Sequence, residues 1–238
     1  MSRAGDKISR QGRALALKPA LVMIGAAWIT ADAGYYLLLP LLGLRTGYNV
    51  EPVAIALYYA VWVAIALPVF WPLYRNWPTS ENPVLTHIVL IGLLGGIVLF
   101  AVHGLPALPK VVWTESWEPP ELMRVTAWYF VPKAIEILFQ QMLVAALVLA
   151  LAAGGYAVRS ISLACAVLFG TMHTLLAFGG MPLGYVVRFV VAATAFGYVF
   201  PQLLLRVPNG LACCYVLHWL YYLVTIVMVH TLSPYVVR

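Results

Sequence analysis

The chain has 238 residues, 63% hydrophobic and 9% charged, with a mean hydropathy of +0.93. A soluble domain carries about 25% charged residues, so a water-soluble enzyme is excluded. The net charge of +6 sits in the N-terminal tail and at the ends of apolar runs, where basic residues set orientation and meet anionic lipid, so nucleic acid is excluded as a partner.

The apolar runs are about 20 residues long, enough to cross a hydrocarbon layer of roughly 30 Å as helices, and they lack the alternation of barrel strands. They predict an all-α polytopic membrane protein of about seven spans. No polar stretch is long enough for an extramembrane core, which leaves a single membrane domain over 1–238. A basic tail over 1–18, with Arg3, Lys7, Arg10, Arg13 and Lys18, comes first. Three spans then fill 20–105, at about 20–43, 52–74 and 83–105. Ala31, Asp32 and Ala33 make an A-x-A pattern in the first, which we read as a retained span and not as a signal-peptide cleavage site. The Pro-rich connection 106–124 holds Trp113, Glu115, Trp117, Glu118 and Glu121, a composition suited to an interfacial segment. Spans at about 125–153, 160–179, 183–205 and 209–232 follow and make a four-helix core over 125–232.

With the N-terminus cytoplasmic, eight basic residues (Arg3, Lys7, Arg10, Arg13, Lys18, Arg75, Arg159 and Arg206) lie inside, against Arg45, Lys110, Arg124 and Arg238 outside. That asymmetry selects the orientation. The expected location is a bacterial inner (plasma) membrane, and the lipid bilayer is the first partner. Cys165, Cys213 and Cys214 fall within apolar runs and indicate neither a disulfide framework nor a metal knuckle.

Ionisable groups at membrane depth cost several kcal/mol unless paired or hydrated, so each is a functional candidate. Here they are Asp32, Lys133, Glu136, His173, Arg188 and His218, with His87, His103 and His230 nearer the span ends. These last three are expected to be core imidazoles bonded to neighbouring carbonyls. Lys133, Glu136 and Gln140 are spaced three and four apart, which puts them on one helical face with Glu136 able to pair to Lys133 and bond to Gln140. Measured from the inner ends of their spans, Glu136, His173 and His218 lie about 25, 20 and 14 Å deep. A buried carboxylate facing two imidazoles suits activation of a water, and equally a divalent metal held by Glu136, His173 and His218, or a haem on the two histidines.

Three segments carry a resemblance: PKAIEILFQQ (Pro132 to Gln141), FGTMH (Phe169 to His173) and HWLYY (His218 to Tyr222). In order and spacing they resemble the EExxxR, FxxxH and HxxxN motifs of the CPBP family, the CAAX-prenyl-protease and bacteriocin-processing type of intramembrane protease. Phe169 and His173 match the second motif outright. Ile135 stands where the family has its first Glu, Gln140 where it has Arg, and Tyr222 where it has Asn. The similarity covers roughly 125–232.

The resemblance implies an intramembrane endopeptidase acting on a membrane-embedded or lipid-modified polypeptide. Glu136 would be the general base for a water, His173 and His218 would hold the water or the oxyanion, and Tyr222 would be an auxiliary donor, with Lys133 and Gln140 in support. The second reading is a catalytically degenerate member of the same fold, kept as a subunit or assembly factor of a membrane complex. A haem or pigment carrier is a third and a charge relay through Asp32, Arg188 and Glu136 a fourth. A retinal protein is excluded, since the chain's lysines are Lys7, Lys18, Lys110 and Lys133 and none lies in the last span.

Overall fold

A computed structural model of the chain describes residues 17–75, 77, 83–114, 121–179 and 183–236. Arg3, Lys7, Arg10 and Arg13 of the tail, Glu115, Trp117 and Glu118 of the long connection, and Arg238 lie outside the described residues.

Among the described residues seven helices are long and apolar enough to cross a membrane. Helix α1 runs over Leu17–Ala33 and continues through a π-helical turn, Gly34–Leu38, into Leu39–Leu41. Helix α2 is Pro52–Tyr74. Helix α3, Pro83–Leu99, ends as α1 does, with a π turn over Phe100–Gly104 and then Leu105–Ala107. Helix α4 is Phe130–Ala153, entered through a 3-10 turn at Ala127–Tyr129. Helices α5, α6 and α7 are Val158–Thr174, Leu183–Arg206 and Gly210–Leu232. The protein is thus all-α and polytopic, with helix limits within five residues of those expected from the apolar runs.

Local chemistry accounts for where the helices change. Pro40 and Pro106 each follow a π turn, and each ring lacks an N–H for the carbonyl four residues back, Tyr36 and Val102, inside that turn. Gly155, at φ +84°, ends α4. Tyr156 N–H donates to the Leu151 carbonyl at 3.2 Å and Gly155 N–H to that of Ala152 at 3.0 Å, the paired bonds of a Schellman cap.

The chain forms two compact units, one from Met1–Ala26, Val69–Asn82 and Leu143–Cys214, the other from Ala27–Pro68, Pro83–Met142 and Tyr215–Arg238. Each takes segments from both the 20–105 and the 125–232 stretches.

In the first unit α5 packs along α6. Ile161, Cys165, Ala166 and Phe169 of α5 and Val186, Ala193 and Phe200 of α6 are buried. The indole of Trp77 donates to the Leu204 carbonyl at 2.9 Å. Gly197 sets how closely the two helices approach. A Cβ there would stand 2.7 Å from both the Cα and the N of Ala166. Backbone cannot yield as a side chain does, so Gly197→Ala is expected to lower stability by about 1–3 kcal/mol. Thermal unfolding in detergent checks this; an unchanged midpoint would show that α5 and α6 separate freely.

The second unit is rich in tyrosine. The rings of Tyr35, Tyr48 and Tyr59 stack on one another at 5.9 to 6.5 Å, and Tyr48 meets Tyr129 at 5.6 Å. Loop 42–51 is fastened to the segment before α4: Thr126 N–H donates to Asn49 Oδ1 at 2.8 Å, and Tyr48 N–H donates to the Glu121 carboxylate. Near the C-terminus Val112 N–H donates to the Tyr235 carbonyl at 2.9 Å.

Burial pushes the Glu121 carboxyl above its ordinary range, against the pull of the Lys133 ammonium and the Tyr48 amide. The folded chain therefore binds this proton more readily than the unfolded one. Stability should rise as pH falls from neutrality through the raised pKa, and level off below the ordinary value of 4.5. Unfolding midpoints at about pH 7 and about pH 5 test it, with Glu121→Gln expected to flatten the slope. A slope of opposite sign attributable to Glu121 would contradict the burial argument.

Candidate functional site

The polar centre of the second unit is built from the first turns of α4. Helical spacing places Lys133, Glu136 and Gln140 on one face, and their side chains join. Lys133 Nζ donates to Glu136 Oε2 at 2.6 Å, and Gln140 Nε2 donates to Glu136 Oε1 at 2.8 Å. Lys133 and Glu136 are each only 7% exposed. A buried ion pair persists only when its remaining groups are also satisfied, and aromatic rings help to do that for the ammonium. Nζ stands 4.8 Å from the ring centre of Tyr48 and 4.4 Å from that of Tyr222, within the range of cation–π attraction.

On α7, His218 and Tyr222 are one turn apart and their rings stack at 5.5 Å. His218 also meets a residue that the spacing argument passed over, Gln141. Its amide nitrogen lies 3.0 Å from His218 Nδ1, and the residue is 1% exposed. With that nitrogen donating, the neutral imidazole carries its proton on Nε2. The Tyr215 hydroxyl donates to the Ala134 carbonyl at 3.0 Å, a second tie between α7 and the start of α4. Tyr222 therefore touches both Lys133 and His218, and Gln141 orients the imidazole.

His173 belongs to the first unit. Its Nδ1 is 2.8 Å from the Phe169 carbonyl; a carbonyl only accepts, so the proton sits on Nδ1 and Nε2 is the acceptor nitrogen. Its ring stacks on Phe189 at 6.4 Å. Asp32 lies on an exposed position of α1.

Among the described residues no three His, Cys, Asp or Glu side chains come together as ligands of a metal ion would. Glu136 is engaged by Lys133 and Gln140, and His218 by Gln141. The expectation for the outer histidines changes. His230 is buried and bonded to the Pro109 carbonyl at 3.0 Å, as expected of a core imidazole. His87 is exposed, its Nδ1 2.6 Å from the Pro83 carbonyl one turn back, and His103 is exposed on α3.

No family model, no curated protein and no solved structure matches the chain.

Proposed function

We propose that this integral membrane protein, in a bacterial inner membrane, is a CPBP-like endopeptidase that cleaves a membrane-embedded or lipid-modified polypeptide. The observation that supports it is the buried Glu136 carboxylate, held beside a cation in the same unit as an imidazole of defined tautomer. Each carboxylate oxygen bonded here keeps a second lone pair, so Glu136 can take a proton from a water while Lys133 and Gln140 hold it in place. The water oxygen then bonds to the scissile carbonyl carbon. His218 Nε2–H, set by Gln141, donates to the oxyanion, and the Lys133 ammonium supplies charge near Gln140, where the family motif has arginine. The C–N bond breaks as the proton passes from Glu136 to the leaving amine.

Hydrolysis by this route puts one solvent oxygen into each new C-terminus. Purified protein in liposomes, offered single-span and prenylated peptides in 18O-water, should yield products whose new carboxyl group gains one heavy oxygen by mass spectrometry. Products without it would overturn a water-based mechanism. The second reading, a degenerate subunit or assembly factor, is favoured by one observation: both oxygens of Glu136 are already bonded within the chain.

A further inference from the structure

One intramembrane cation takes no part in that chemistry. Arg188 lies five residues beyond Leu183, the first residue of α6. Its guanidinium carbon is 4.9 Å from the ring centre of Tyr185 and 5.3 Å from that of Phe189. Its Nε and Nη2 are both buried and have no hydrogen-bond partner among the described residues. These two nitrogens form one edge of the guanidinium plane, the edge that offers two parallel N–H bonds to an oxyanion. Aromatic rings attract the cation but cannot accept that pair of in-plane hydrogens. Buried unpaired donors are costly, and an acceptor with two oxygens at a fixed spacing would relieve both together.

The ion pair within the described residues is that of Lys133 and Glu136, so no described carboxylate neutralises Arg188. Depth points to the acceptor. Helix α6 has 24 residues, about 36 Å against about 30 Å of hydrocarbon, so the Arg188 backbone lies a few ångströms inside the boundary and its side chain reaches the phosphate level. Beside it Leu183, Val187 and Val191, spaced four apart on one face, are 75%, 51% and 62% exposed and present an apolar stripe suited to acyl chains.

We propose that the Arg188 edge binds the phosphate of an anionic phospholipid, with the acyl chains along the Leu183–Val187–Val191 stripe. Because the edge is covered, binding includes a rotation of Tyr185 or of Arg188 that opens it. This site does not depend on the peptidase reading.

The test is native mass spectrometry of the whole chain released from vesicles of equal phosphatidylglycerol and phosphatidylcholine. The unchanged chain should retain one phosphatidylglycerol, and Arg188→Gln should reduce that retention about tenfold. Arg188→Lys, which keeps the charge and loses the fork, should fall between. Arg206→Gln, at the far end of α6, should leave retention unchanged. Retention equal in Arg188→Gln and the unchanged chain overturns the proposal. If Arg188→Gln does not fold, Arg188→Lys decides, and retention equal to that of the unchanged chain overturns it. Millimolar inorganic phosphate separates the sources: lipid that stays bound supports the headgroup, while displacement of the lipid overturns the lipid and assigns the site to free phosphate.

Discussion

Lys133→Met should destabilise the protein by about 3–5 kcal/mol, the cost of stranding a buried charge. The substitution keeps the length of the stem but removes the ammonium that neutralises Glu136, a residue only 7% exposed. Tyr48 and Tyr222 would lose their cation in the same step. Removing both charges, as in Lys133→Met with Glu136→Leu, should restore most of the loss, because a well-packed apolar pair avoids the desolvation that an ion pair must overcome. Thermal unfolding of the single and double variants in one detergent measures the coupling. A loss below about 1 kcal/mol for Lys133→Met would mean that water reaches Glu136 and screens it, as at a surface pair.

Glu136→Gln should reduce cleavage by about 10²- to 10⁴-fold, the usual worth of a positioned general base. The amide preserves shape, and its single oxygen can accept from Lys133 while Gln140 turns its own amide oxygen to the new N–H; the Lys133 ammonium loses its counter-charge, so unfolding of this variant is measured beside its cleavage. The amide cannot accept a proton from water. Cleavage that survives the substitution would remove Glu136 from the role of base. If the chain is instead a subunit or assembly factor, the same variant should leave complex formation intact, and substitutions among its exposed apolar residues should release the partner. Co-purification from membranes under mild detergent, run beside the cleavage assay, distinguishes the two.

Much of this protein is decided by interactions short enough along the chain to be read from it. Spans follow from the length and continuity of apolar runs, since lipid leaves the backbone no choice but to bond within a helix. The Lys133–Glu136–Gln140 chain was legible for the same reason, because residues three and four apart on a helix must be neighbours. The π turns had a local signal as well, in Pro40 and Pro106. Only the tertiary structure brought Gln141 to His218, 77 residues apart, since Gln141 lies about 100° round the helix from Gln140 and off the face defined by Glu136. Tyr48 at the Lys133 ammonium was equally hidden: it comes from a loop, where no periodicity sets direction. The exposure of His87 and His103 went unforeseen because a span that is apolar all round does not reveal which side its neighbours cover. Helical geometry fixes which side chains share a face, whereas the partner of that face is chosen by packing between segments distant in sequence, which one chain's spacing does not encode.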